Sequence, residues 1–238
     1  MLKNVGFLQY IKKDWLDATM AFYQNGQNID EIKVSLDTLI KYDVPKNEER
    51  RKTIDVLTRI WIRIPSKFDS LQLDALNFYD DLDPNERIIL HWGMLLLAYP
   101  FFRDIVFSIG SLLKIQNNFT STQLRNRLVS NWGQRTTIIR AMDRIIQSLK
   151  DWNILIIDDK SLKPNSKMMI KNESLCLWFL ECVFRTENSD SMLFEKLVSL
   201  QTMFPFKLKI PVYKIKQAKN FEYQIHGMNI EMISLRKN

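Results

Sequence analysis

Apolar residues recur along the first half of the chain at helical intervals. In the stretch IDEIKVSLDTLI, Ile29, Ile32, Leu36 and Leu39 are spaced three, four and three apart, which places them on one face of a helix. Before it, DWLDATMAFYQNG stops at Gly26, a natural helix terminator. After it, EERRKTIDVLTRIWIRI carries Ile54, Leu57 and Trp61 on one face and runs into Pro65. DPNERIILHWGMLLLAYP opens with Asp83, Pro84 and Glu86, the residues of a capping box with proline at the first helical position. Pro100 interrupts that helix, and FFRDIVFSIGSLLKI follows as another.

The pattern changes character at Phe119. Thr120 and Gln123 form a second capping-box signature, with Phe119 and Leu124 placed as a hydrophobic staple. A helix is predicted from about Ser121 to Asn131 or Trp132, then a turn at Gly133, then a second helix from about Thr136 to Trp152. The second helix has an apolar face of Ile138, Met142, Ile145 and Leu149 and a polar stripe of Thr137, Arg140, Arg144 and Gln147. The run NILII then alternates as a strand. DDKSLKPNSK reads as a basic turn, and KMMI as the returning strand. Helix, glycine turn, helix, hairpin is the order of a winged helix-turn-helix.

Further on, ESLCLWFLECVF and SMLFEKLVSLQTMF are predicted to be helices. FEYQIHGMNIEMISL is predicted to be a hairpin turning at His226-Gly227, with strands able to extend the small sheet of the winged module. The expected fold is therefore mainly helical. It comprises a helical bundle over residues 1–118, a winged helix-turn-helix over 119–171, and helices plus a β-hairpin over 172–238.

Composition supports a packed helical protein. Apolar residues make up 46% of 238, with only 6 glycines and 7 prolines, which argues against disorder and against a β-barrel. Cys176 and Cys182 match no zinc or redox spacing, and His91 and His226 are far apart. Buried thiols in a reducing cytoplasm are expected, with no metal and no cofactor. The acidic cluster Asp74, Asp80, Asp81, Asp83 and Glu86 lacks the glycine and spacing of a calcium loop and reads as a helix boundary. His91, beside Trp92 in an apolar run, reads as a hydrogen-bonded core residue. Trp132 and Trp152 read as core anchors. The apolar run Ile88 to Phe102 is 15 residues long and ends on Arg103-Asp104, whereas a span needs roughly 20, so no membrane partner is expected. The N-terminus has no signal-peptide pattern. No Gly-rich phosphate loop, GxSxG or HExxH motif occurs, and the chain reads as non-enzymatic.

Charge sharpens this picture. The formal net charge is +7, but residues 1–118 hold 15 Lys/Arg against 16 Asp/Glu. Residues 119–171 hold 10 against 4, residues 172–203 hold 2 against 5, and residues 204–238 hold 7 against 2. A basic excess confined to one module is what phosphate neutralisation requires. The candidate DNA contacts are Gln134, Arg135, Thr136, Thr137, Arg140 and Arg144 on the second helix and its N-terminal end. Lys160, Lys163 and Lys167 on the wing join them. Arginine can bind guanine through two parallel hydrogen bonds, a helix N-terminus favours phosphate, and wing lysines suit the backbone. The expected partner is double-stranded DNA. The alternative is a scaffold subunit whose winged module grips another protein, since winged helices serve both purposes.

Four segments also carry a family resemblance: Asp14-Trp15 in an early helix, Gly26 to Ile32, the YPFFRD segment Tyr99 to Asp104, and SLKDWNIL, Ser148 to Leu155. Over roughly residues 7–157 the chain resembles the BrxA family of bacterial BREX phage-defence systems. The resemblance implies a small helical DNA-binding accessory protein without activity of its own, acting beside larger proteins of an antiviral defence system.

Overall fold

Local signals account for most of the helices. In the computed structural model, which describes residues 5–187 and 189–236, an extended segment leads into α1 (Lys13–Gln24), α2 (Ile29–Ile40) and α3 (Asn47–Trp61). Asn28 caps α2 by accepting from the Asp30 and Glu31 amides, and Glu31 returns the bond to the Asn28 amide at 2.8 Å. The buried face of α2 is Ile32, Leu36 and Ile40, while Leu39 is 45% exposed. The stripe thus follows four-residue ridges rather than the expected three-four-three path.

A turn of 3-10 helix at Ser66–Phe68 leads to α4 (Asp69–Tyr79), followed by α5 (Ile88–Ala98) and α6 (Pro100–Leu113). The capping box expected at Asp83 and Glu86 does not form. Pro84 to Arg87 are turns, and the Asp83 backbone carbonyl takes the Glu86 and Arg87 amides at 2.8 and 3.2 Å. Arg87 is committed instead to the Tyr79 and Leu82 carbonyls, with its guanidinium 4.0 Å from the Tyr79 ring centre.

Every residue of α5 is buried, which explains the apolar run. Pro100 starts α6, and the two helices meet at 118°. Among the described residues no single helix is long and apolar enough to cross a membrane. Gly93 lets Trp178 approach α5 closely, since a Cβ there would lie 2.6 Å from the indole ring.

Next come α7 (Ser121–Trp132), α8 (Thr136–Asp151), and an antiparallel hairpin of β1 (Leu155–Asp158) and β2 (Ser161–Pro164). Phe119, ahead of α7, pairs with Leu162 through two backbone bonds of 2.8 and 2.7 Å, adding a one-residue third strand. The strand β3 (Met168–Ile170) does not return to β1. It pairs in parallel with β5 (Phe206–Leu208). Two residues, Asp159 and Lys160, suffice to close the tighter hairpin, with Asp159 at φ +54°, so KMMI is free to leave.

Beyond α9 (Glu173–Arg185), the segment expected to be one helix divides. It becomes β4 (Ser191–Leu193), a short α10 (Phe194–Val198) and a 3-10 turn at Gln201–Met203. The cause is tertiary: β4 is captured by β7 (Ile230–Leu235). After α11 (Val212–Lys216), β6 (Phe221–His226) and β7 form the expected hairpin, but it builds a separate sheet in the order β4-β7-β6 and does not extend β1-β2. The chain is mainly helical with a small strand portion toward its C-terminus, and one continuous apolar core runs from Val5 to Ile233.

Candidate nucleic-acid interface

Helix α7 starts on the capping box read in the sequence. The Thr120 hydroxyl accepts from the Gln123 amide at 3.2 Å, and the Gln123 side chain accepts from the Thr120 amide at 2.8 Å. Leu124, Leu128 and Trp132 bury its inner face. Trp132 donates to Asp104 at 2.9 Å and packs edge-on against Phe101. Gly133 then turns the chain at φ +82°, where a side chain would be strained.

Arg135 is the residue ahead of α8. It is half-buried, and its guanidinium turns back to donate to the Trp132 carbonyl at 3.4 Å. It therefore serves the end of α7 as well as facing the turn. No side chain caps α8, its first turn holds no acid, the Ile138 amide is bonded to the Arg135 carbonyl at 3.0 Å, and Gln134, Thr136 and Thr137 are exposed.

The inner face of α8 is Ile138, Ala141, Met142, Ile145, Ile146 and Leu149, all buried. Its far end is clamped by the N-terminal segment. The Ile11 amide donates to the Ser148 hydroxyl at 2.9 Å, and the Trp152 indole donates to the Ile11 carbonyl at 3.0 Å. Asp151 accepts from the Tyr10 hydroxyl at 2.7 Å and from the Lys13 amide at 3.0 Å. The helix is thus held rigidly by one face and one end, while its other face stays open.

On that open face Arg140 and Arg144 are exposed one turn apart, and Arg144 donates to Gln147 at 3.2 Å. Two residues of this surface were missed by the periodicity argument. Asp143 is also exposed there, and its carboxyl is pushed up by partial burial against the opposing pull of Arg125 and Arg144. Arg125 reaches it from α7, a proximity that only the packing of the two helices creates. The stripe is therefore a basic surface with one acid at its centre.

The wing lysines separate. Lys160 is exposed at the turn of the β1-β2 hairpin, beside Asp158 and Asp159. Lys163 is half-buried, with its ammonium 3.2 Å from the Asp158 carboxylate across the strands. Lys167 lies beyond the hairpin, just ahead of β3. Ile157 on the same hairpin is 60% exposed.

The other candidate chemistries resolve into structure. His91 is fully buried; Trp61 donates to its Nδ1 at 3.1 Å, and its Nε2 lies 2.8 Å from Asp17. An indole nitrogen can only donate, so Nδ1 accepts and Nε2 carries the hydrogen toward Asp17. Burial holds the imidazole pKa down, outweighing the Asp17 carboxylate. Cys176 and Cys182 are buried, and burial pushes the Cys176 thiol up to about 11. Among the described residues no group of three or more His, Cys, Asp or Glu side chains is placed to hold a metal, and Asp80 accepts from Gln24 at 2.7 Å. No protein-family model, curated protein or solved structure matches this chain.

Proposed function

We propose that this protein is a non-enzymatic DNA-binding accessory protein. In this reading it engages duplex DNA through a winged helix-turn-helix, with α8 in the major groove and the β1-β2 hairpin as the wing. The order α6, the Phe119 bridge, α7, α8, β1, β2 supports that reading, because a winged helix needs a first helix, a short first strand, two further helices and a hairpin. The observation that carries it is the open face of α8. Thr136, Thr137, Arg140, Arg144 and Gln147 face solvent on a helix fixed from behind, and its leading end has no side-chain cap. Arginine at such positions can read guanine, and a helix N-terminus without a side-chain cap suits phosphate. With its likeness to the BrxA family, the protein fits a cytoplasmic role beside larger enzymes of a phage-defence system.

A scaffold role is the second reading, and the hairpin favours it. Ile157 is exposed, Asp158 and Asp159 stand at the turn, and Lys163 is paired with Asp158. A polyanion gains little from such a tip, whereas a partner protein can cover it.

The deciding experiment is binding of fluorescent random-sequence duplex at several salt concentrations. With roughly 4–6 phosphate contacts, log affinity should fall against log salt with a slope of about −4 to −5. Folded protein that binds no duplex at low salt removes the DNA reading and leaves the scaffold.

A further inference from the structure

The sequence shows two basic segments, 119–171 and 204–238, separated by the acidic segment 172–203. The parallel pairing of β3 with β5 brings the two basic segments side by side. Met169 lies opposite Lys207, and the Lys209 amide donates to the Ile170 carbonyl at 2.8 Å, which continues the register to Lys171. Side chains alternate across a strand. Ile170 and Phe206 are buried on the inner face, while Met169 on β3 and Lys207 on β5 are exposed, as are Lys167 and Lys171, which flank β3, and Lys209, which follows β5.

Adjacent strands lie about 4.8 Å apart, and same-face neighbours on one strand about 6.6 Å apart. Neighbouring ammonium groups of this quartet are therefore rooted within about a Debye length, ~10 Å at 0.1 M salt. Like charges placed so repel one another. Among the described residues none of the four forms an ion pair, although acids of the segment between the two strands do. Glu173 pairs with Lys214, Glu181 with Arg185 and Glu187 with Lys196. Three of the five acids of segment 172–203 are thus paired with other cations, and none of the segment's acids forms an ion pair with the four lysines among the described residues.

We infer that the outer face of the β3-β5 sheet is a second nucleic-acid contact, taking the phosphate backbone of the duplex without reading its sequence. This rests on the DNA-binding reading above and extends it. Charge complementarity selects the occupant, because four lysines around one methionine offer compact point charges and no planar fork to read a base. Continuity supports it too, since Lys167 follows the end of the β2 strand by three residues.

The test uses the full chain and random-sequence duplex across a salt series, comparing wild type with Lys207→Gln/Lys209→Gln and with Lys207→Glu/Lys209→Glu. Circular dichroism confirms folding, and the milder glutamine pair serves if charge reversal unfolds the sheet. Loss of two phosphate contacts should flatten the log-log slope by about 2. It should weaken binding evenly across sequences, with any preference intact. If wild type binds and both folded double variants keep its affinity and slope, the sheet face is not a DNA contact and the α8 reading survives. If wild type binds no duplex, both fall together. If the substitutions leave duplex binding unchanged but abolish binding to phosphatidylserine-containing vesicles, the face belongs to a membrane surface and the inference is overturned.

Discussion

Two helical regions display polar side chains to opposite effect. In the N-terminal helices, Trp61, His91 and Asp17 form a chain in which each donor meets an acceptor, and Lys13 adds a second bond to Asp17. On α8, Arg140 and Arg144 stand on an open face, where Arg144 donates to Gln147 and interacts with Asp143. The first set has spent its hydrogen-bonding capacity on the fold, and the second is exposed to solvent. Both look similar as letters, a polar residue in a helical pattern. What separates them is whether packing brings a partner within reach. A buried polar group without one is costly, so the interior has to supply its own.

Cutting the interior chain is expected to have the largest effect. His91→Ala leaves the Trp61 indole without its acceptor, strips Asp17 of one of its two bonds and opens a cavity, so it should cost about 3 kcal/mol or more of stability. A denaturant midpoint measures this. DNA affinity of the remaining folded fraction should be unchanged. Equal loss of affinity per folded molecule would erase the distinction between the two regions.

Arg140→Ala should do the reverse. It should cost about 1–3 kcal/mol of binding and flatten any sequence preference, with no shift in unfolding midpoint. A preferred site selected from a random duplex pool is needed for the comparison. If Arg140→Ala and Arg144→Ala both bind every sequence as wild type does, α8 is not the reading element and the scaffold reading takes its place.

Acid separates the regions by another route. Burial lowers the His91 pKa, so the unfolded chain takes up a proton that the folded chain refuses. For Asp17, burial raises the pKa, but bonds from His91 and Lys13 bring the balance below its ordinary value. In both cases the unfolded state binds more protons below its own pKa, so stability falls as pH drops. The His91 contribution should be lost as pH falls below about 6.5, and that of Asp17 below about 3.9. Stability of His91→Gln measured from pH 8 to pH 5 should be flatter than that of wild type. A wild-type profile that is level from pH 8 to pH 5 would show that the core histidine is not held neutral.

The smallest effects belong to the hairpin. Lys160→Ala should reduce the salt slope by up to about 1, and Lys163→Ala by less, because Asp158 already neutralises part of its charge. Asp158→Asn should then strengthen binding slightly and evenly. If Lys163→Ala instead matches Arg140→Ala, the wing and not the helix dominates recognition.

The readings that held are the local ones. The helix from Ser121, its Thr120 and Gln123 cap, the turn at Gly133 and the amphipathic α8 need only information spread over a few residues. Cap chemistry, glycine's access to positive φ and the 3.6-residue period all act within two turns of helix. The C-terminal hairpin turned where Gly227 allowed it. Where local signals were weak or were overridden, the expectation failed. Asp83 had the right spacing for a cap, but Arg87 was drawn to the Tyr79 and Leu82 carbonyls and the helix began later.

What the amino-acid order determined by itself, then, is most of the helices, the apolar face of α8, and where the basic charge lies. What only the tertiary structure decided is the set of partners. Met168 to Ile170 found Phe206 to Leu208 rather than its neighbouring strand, and Ser191 to Leu193 left a helical pattern to join β7. Asp158 took the charge of Lys163, and Asp17 with Trp61 fixed the hydrogen of His91. The reason is physical: periodicity and capping are properties of contiguous residues, whereas strand pairing and ion pairing join residues whose separation in sequence carries no information about their separation in space.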